Sequence, residues 1–253
     1  MKNHFFFPYS GNKRNEVENL LQYIESQQDF NNIETIIEPF CGSSALSYYI
    51  STKYPKKFKY VLNDMDKNLI DLYKLVKDER KFKKFNEELN KKVKLIINKE
   101  AYDLIKKENT FLSWFIIHKI YGIKPGLYKI DYKPQEYNLN DIPIVQFIKN
   151  EEIEYFNIEG EIILQKYKDN SNNFLFIDPP YVDCCNLFYS NTKTNIYEYA
   201  CNNDINNMNA FVIFVLEDNW IMKLLFKDYI KQTYNKLYQA TKRQTQHILI
   251  SNK

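Results

Sequence analysis

Apolar positions along the first half of the chain change period several times, and each change marks an element. Val17, Leu20, Leu21 and Ile24 recur three and four apart, which predicts an amphipathic helix over residues 13–28 after a glycine-containing turn. Residues 35–38 then read as a short strand, Pro39-Phe40-Cys41-Gly42-Ser43-Ser44 as a turn, residues 45–53 as a second helix and residues 59–63 as a second strand. Strand, helix, strand is the unit from which parallel nucleotide-binding sheets are built, and their ligands sit beyond the carboxyl ends of the strands. Leu69, Leu72, Tyr73 and Val76 predict a further helix capped by Asp66, and Phe82, Phe85, Leu89, Val93 and Ile96 continue a helical stripe under a Lys-rich, solvated exterior.

From residue 114 to 147 the pattern breaks into short aromatic and Lys-rich pieces punctuated by Gly122, Pro125, Gly126, Pro134 and Pro143, which predicts an inserted module of helices plus a β-hairpin. The α/β pattern resumes with Phe174-Leu175-Phe176-Ile177, apolar without interruption as in strands buried on both faces, and again at residues 211–216. His247-Ile248-Leu249-Ile250 is expected to pair with a strand near residues 229–236, the stretch 238–245 between them being a loop. The pattern as a whole predicts an α/β, Rossmann-like parallel sheet ending in an antiparallel hairpin. One domain would cover residues 1–76 and 166–253, interrupted by a mainly helical insertion at 77–165.

Composition narrows the partners. With 44% hydrophobic and 26% charged residues among 253, the chain has a folding composition and enough length for one substantial core plus an inserted module. A formal charge of +3 is compatible with a polyanion but does not identify one; the distribution of 21 Tyr and 18 Phe beside Lys suits phosphate contact with base stacking, and equally a compositional bias toward Lys, Asn, Ile and Tyr. Four cysteines, Cys41, Cys184, Cys185 and Cys201, have no C-x-x-C spacing, and with three histidines no zinc pattern arises, so reduced thiols and no metal are expected. Phe5-Phe6-Phe7 is cut short by Pro8 and the apolar run 210–216 is a third of a membrane span, which predicts an intracellular, soluble protein.

Chemistry concentrates at Asp178-Pro179-Pro180-Tyr181, directly after the buried strand 174–177. A carboxylate there faces the ligand crevice, and two prolines stiffen a turn whose carbonyls lack local N–H partners. One carboxylate oxygen and one carbonyl match the two hydrogens of an exocyclic amino group, and a Tyr ring can stack on the attached base. Such an amine is a weak nucleophile because its lone pair is delocalised; accepting its hydrogens helps localise the pair for attack on a sulfonium methyl. The turn Glu38-Pro39-Phe40-Cys41-Gly42 permits close backbone approach to a cofactor, and Asp64, 22 residues past Gly42, stands where an acid grips ribose hydroxyls. His118 reads as a half-buried helix residue, Cys184 and Cys185 as pocket-edge packing, and Lys242 and Arg243 as a solvated loop.

Taken in order, these pieces resemble the Dam-type (D12 class) adenine-N6 DNA methyltransferases. Pro8-Tyr9-Ser10-Gly11-Asn12-Lys13 resembles the family's Trp-x-Gly-Gly-Lys cofactor motif, and Glu38-Pro39-Phe40-Cys41-Gly42-Ser43-Ser44 its Glu-Pro-Phe-x-Gly-x-Gly. The segment from Asn63 and Asp64 through Tyr73 resembles the stretch after the second strand, and Asp178–Tyr181 is the catalytic tetrapeptide. The resemblance implies an S-adenosylmethionine-dependent enzyme that flips an adenine out of duplex DNA and methylates its N6, with the insertion reading the target. It places Asp178, Pro179, Pro180 and Tyr181 at the reacting base, and Tyr9, Ser10, Lys13, Glu38, Pro39, Phe40, Gly42, Asp64, Met65 and Asp178 around the cofactor. Gly126-Leu127-Tyr128-Lys129 resembles the family's recognition hairpin, so Lys119, Lys124, Tyr128 and Lys129 are the candidate DNA contacts; a cognate restriction endonuclease is a partner the resemblance allows.

Four positions depart from the family: Tyr9 replaces Trp, Asn12 and Ser44 replace Gly, and Lys129, which lacks the planar fork of Arg, replaces Arg. Two other readings stay open. One is methylation of a different planar amine or amide, in RNA, at cytosine N4 or on protein glutamine; the other is a non-catalytic DNA-binding or partner subunit that keeps the fold.

Overall fold

The computed structural model describes residues 4–7, 9, 13–121, 135–181, 196–202, 205–238 and 243–253, which fall into two compact units. The larger comprises Glu16–Lys67 and Glu151–Lys253, and the smaller Met1–Asn15 and Asn68–Asn150.

The larger unit is a seven-stranded sheet. Its strands are β1 (Thr35–Glu38), β2 (Lys59–Asn63), β3 (Glu152–Phe156), β4 (Asn173–Ile177), β5 (Phe211–Glu217), β6 (Ile230–Tyr238) and β7 (Arg243–Ser251), in the spatial order β3-β2-β1-β4-β5-β7-β6. The first five are parallel, in the 3-2-1-4-5 order of doubly wound nucleotide-binding sheets, and β7 inserts antiparallel between β5 and β6. This is a Rossmann-like parallel sheet with a terminal antiparallel hairpin, as expected. Every residue of β4 is buried, and β5 is buried until Glu217, which is why both strands appear as unbroken apolar runs.

Helices of this unit are α1 (Val17–Gln27), α2 (Ala45–Lys53), α8 (Gly160–Tyr167), α9 (Ile196–Asn202) and α10 (Trp220–Leu225). Val17, Leu20, Leu21 and Ile24 form the buried face of α1. Glu25 at its far end accepts from Lys53 Nζ at 2.6 Å and from the Tyr54 hydroxyl at 2.7 Å, joining α1 to the end of α2.

Around Phe82, Phe85, Leu89 and Val93 of α4 (Glu79–Val93), the smaller unit packs α3 (Lys67–Lys77), α5 (Lys99–Lys107), α6 (Phe111–Tyr121) and α7 (Pro143–Asn150). Phe5, Phe6 and Phe7 are all buried here, Phe5 tilted against Tyr73, Phe6 edge-on to Phe82 and Phe115 and Phe7 edge-on to Trp114, and the His4 carbonyl accepts from the Ile144 N–H at 3.0 Å. Aromatic pairs at these angles add about 0.5–1.5 kcal/mol each beyond area burial.

The expected boundaries change in four places. Residues 68–76, assigned to the sheet domain, belong to the helical unit. In the hairpin, β6 runs to Tyr238 and β7 starts at Arg243, so Arg243 lies on a strand and not in the expected 238–245 loop. The opening segment, assigned to the sheet domain, packs with the helical unit because three consecutive phenylalanines need a surrounding apolar wall. Residues 151–165, assigned to the insertion, belong to the sheet: β3 pairs with β2 from Lys59↔Glu152 to Asn63↔Phe156. Glu152-Ile153-Glu154-Tyr155-Phe156 escaped notice because an edge strand alternates polar and apolar residues and carries no buried run. The expected recognition hairpin lies outside the described residues.

Candidate active site

The chain leaves β1 for β2 on one side of the sheet and returns to β4 on the other, so the strand order reverses between β1 and β4. A crevice opens at such a switch point beyond the carboxyl ends of the strands. Three loops converge there from neighbouring strands: residues 39–44 after β1, Asp64 after β2, and Asp178–Tyr181 after β4.

Hydrogen bonds fix the first loop from both sides. Glu38 is buried, and its Oε1 accepts from the Ser47 N–H at 3.0 Å and from the Ser47 hydroxyl. It thereby satisfies an amide in the first turn of α2, a position that favours negative charge. Cys41 N–H donates to the Asn63 carbonyl at 2.8 Å and Ser44 N–H to the Cys41 carbonyl at 2.7 Å. Gly42 takes φ 47° and so needs glycine's freedom. Ser44 adopts φ 49° and ψ 40°, the left-handed conformation for which the motif it resembles carries glycine. The departure at 44 is therefore accommodated, at a backbone cost of about 1–2 kcal/mol.

Asp64 closes the second loop. Its Oδ2 accepts from Gly42 N–H and its Oδ1 from Asp66 N–H, both at 2.9 Å, while the Asn157 amide donates to its carbonyl at 2.7 Å. Burial raises the carboxyl from its usual 3.8 to about 6, outweighing the backbone donors that pull it down. Met65 beside it is 44% exposed and can present its thioether to a ligand. The buried Cys41 thiol is raised well above its ordinary value, by burial first and then by Asp64 and Glu38. It is therefore a packing group and not a thiolate.

Asn63 was missed in the sequence. Fully buried, it donates to the carbonyls of Pro39 at 2.8 Å and Ile158 at 2.9 Å and accepts from Ile158 N–H at 3.0 Å, so one side chain ties the ends of β1, β2 and β3 together. Gly160, also missed, lies under Phe40: a Cβ there would stand 2.4 Å from the Phe40 ring. Its absence lets the ring of the candidate loop lie flat against α8.

In the third loop Pro179 is buried, and the Tyr197 hydroxyl donates to the Pro180 carbonyl at 2.8 Å. Tyr181 departs from expectation. Its ring, 8% exposed, meets His247 edge-on at 5.1 Å, and its hydroxyl donates to Asp178 Oδ1 at 2.9 Å. In this structure its polar tip orients the carboxylate, and the ring is not displayed for stacking.

Candidates in the helical unit are placed separately. Tyr9 is half-buried and packs edge-on against Phe5 at 5.9 Å, and Lys13 is buried. Lys119, a candidate DNA contact, turns inward: its ammonium donates to the Phe6 carbonyl at 2.5 Å and lies 5.1 Å over the Tyr137 ring, and burial lowers its pKa. The half-buried ammonium is thus engaged within the helical unit by Phe6 and Tyr137. His118, as expected, is a half-buried helix residue whose Nδ1 lies 2.8 Å from the Trp114 carbonyl. Ser10, Lys124, Tyr128, Lys129, Cys184, Cys185 and Lys242 lie outside the described residues. Among the described residues no three His, Cys, Asp or Glu gather as a metal site, and no helix is long and apolar enough to cross a membrane.

This crevice can be set beside known proteins. Residues 9–119 match the D12 class N6 adenine-specific DNA methyltransferase family. The resemblance read from the motifs is thus borne out, and the match includes both the 39–44 loop and Asp64. The Type II methyltransferase M.MjaIII of Methanocaldococcus jannaschii is 25% identical over 93% of this chain and 88% of its own length. The Type II methyltransferase M.CviBI of Paramecium bursaria Chlorella virus NC1A is 26% identical over 68% of this chain and 67% of its own length. Among solved structures, the N-terminal domain of human METTL16 in complex with SAH aligns with TM-score 0.37 and 8% identity over 94% of this chain and 67% of that one. The fold assignment rests on strand order.

Proposed function

We propose that this chain is a DNA methyltransferase of the D12 adenine class, transferring a methyl group from S-adenosylmethionine to the N6 amino group of adenine in duplex DNA. The observation that carries the reading is the convergence of Asp178-Pro179-Pro180-Tyr181 with the 39–44 loop and Asp64 at one switch point. The residues fit the cofactor. Asp64 offers a carboxylate for ribose hydroxyls, Gly42 lacks a Cβ where the ligand must approach, and exposed Met65 and the partly buried Phe40 supply apolar surface. When bound there, the cofactor supplies a sulfonium-borne methyl group.

The protein's own task is to bring a poor nucleophile to that methyl. Asp178, oriented by the Tyr181 hydroxyl, accepts one amino hydrogen and the Pro179 carbonyl the other, so the nitrogen lone pair is directed at the methyl group. Because the N6 group of a paired adenine is engaged in the duplex, the base must leave the stack to reach Asp178. In this reading the inserted module, assigned from the sequence to residues 77–165, reads DNA, and its residues 77–150 lie in the helical unit.

The test is transfer of labelled methyl from S-adenosylmethionine to unmethylated duplex DNA, followed by nucleoside analysis. N6-methyladenine at one short sequence supports the reading, and Asp178→Ala should abolish it while the chain still folds and binds cofactor. Label in RNA, in N4-methylcytosine or in protein would redirect the substrate. No saturable cofactor binding would favour a non-catalytic subunit.

A further inference from the structure

A chain of buried and half-buried polar groups runs from Asp178 away from the crevice. Its centre is His247 on β7, whose ring is fully buried and whose strand position lies opposite Tyr234 of β6 and Glu217 of β5. His247 Nδ1 lies 3.3 Å from the Tyr181 hydroxyl oxygen and 3.4 Å from that of Tyr234. The Tyr234 hydroxyl donates to Glu16 Oε2 at 2.9 Å, and the other oxygen of Glu16 meets Lys236 Nζ at 2.8 Å. Glu16 and Lys236 are themselves buried, 8% and 6% exposed.

The protons in this chain have a definite polarity. Each phenol has one hydrogen, and each points it at a carboxylate: Tyr181 at Asp178, Tyr234 at Glu16. Both phenol oxygens therefore face His247 as acceptors, which requires Nδ1 to carry a proton. Glu16 Oε2, 3.9 Å from Nδ1, favours the same arrangement. With the opposite tautomer the Nδ1 lone pair would face two phenol oxygens, and one hydroxyl would have to turn from its carboxylate to satisfy it.

We propose that His247 is a positioning residue for the reaction: its Nδ1–H holds the Tyr181 oxygen so that the Tyr181 hydroxyl donates to Asp178 and fixes the carboxylate, with Tyr234, Glu16 and Lys236 as the buried anchor. The inference rests on Asp178 being the reacting carboxylate proposed above. It assigns the terminal hairpin and the first residue before α1 a role in the chemistry, although neither belongs to the loops at the crevice.

Four variants and one spectrum test it. His247→Phe keeps the ring volume without the donor, and His247→Asn returns an N–H near the position of Nδ1. In single-turnover methyl transfer His247→Phe should be slower by roughly tenfold to a hundredfold, the range that a misplacement near 1 Å costs, with cofactor Kd changed less than about twofold. His247→Asn should recover most of that loss. Tyr181→Phe should be slowed similarly, and the double variant His247→Phe, Tyr181→Phe should be no slower than Tyr181→Phe alone, because the histidine acts only through that hydroxyl. Multiplying losses in the double variant, or no recovery in a folded His247→Asn, would overturn the proposal. The imidazole nitrogen-15 spectrum of the wild-type chain without substrate should show Nδ1 protonated; a neutral ring protonated only at Nε2 overturns it whatever the activity. If the wild type methylates no DNA, the functional reading fails, and the spectrum still decides the network.

Discussion

Asp64 offers the most quantitative test of how the crevice is built. Its carboxyl titrates near 6, about two units above its ordinary value, which corresponds to about 3 kcal/mol of penalty on the ionised form at neutral pH. Between the two values the folded chain holds a proton that the unfolded chain has lost, so stability from this group is fully present below about pH 4 and declines as pH rises to about 6. Asp64→Asn removes that dependence. The amide oxygen can serve only one of the two N–H groups, from Gly42 and Asp66, that the carboxylate accepts, a loss of about 1–3 kcal/mol that roughly offsets the relief of burying a charge. At about pH 7.5 the two proteins should therefore be close in stability. Urea unfolding at a series of pH values should show the difference shifting toward the wild type by about 1.4 kcal/mol between about pH 7.5 and 5, since one proton per unit is worth that much. Other carboxylates cancel in the comparison. A difference that stays flat with pH would refute the assignment of a raised Asp64. The same titration should appear in cofactor binding: an ionised Asp64 is the better acceptor for ribose hydroxyls, so Kd should rise about tenfold from about pH 7 to 5 in the wild type and not in Asp64→Asn.

Three other substitutions test separate parts of the structure. Ser44→Gly relieves a left-handed backbone and should stabilise the chain by about 1 kcal/mol, read as a Tm rise of a few degrees with no loss of cofactor affinity. Gly160→Ala places a Cβ against the Phe40 ring; despite alanine's better helix propensity it should cost about 1–3 kcal/mol and weaken cofactor binding, and calorimetry with cofactor titration checks both. Lys119→Met should destabilise the helical unit by about 1–3 kcal/mol by leaving the Phe6 carbonyl without its ammonium. It should leave the salt dependence of DNA binding unchanged, whereas removing a phosphate-contacting lysine would reduce the slope by about one.

Much of the crevice could be read along the chain because its parts are local. Gly42, Asp64 and Asp178 each follow a strand whose apolar run is evident, and in a parallel sheet a residue after a strand is a residue at the ligand edge. Tyr181 shows where local reading stops. Its place in the tetrapeptide was plain, but whether an aromatic ring faces a ligand or packs inward depends on what lies behind it, and that is His247, 66 residues on.

What the sequence alone determined is the run of β1, α2, β2, β4 and β5, the candidate residues that follow these strands, and the terminal hairpin, since each is encoded by apolar periodicity or by a short run of special residues. Only the tertiary structure decided that Phe5–Phe7 join the helical unit, that β3 extends the sheet, that Lys119 faces inward, and that Glu16, Tyr234, Lys236 and His247 form one buried network behind Asp178. These are properties of pairs: Glu16 and Lys236 are ordinary charged residues until folding buries both and brings them to 2.8 Å, and no single-chain pattern records a partner 220 residues away.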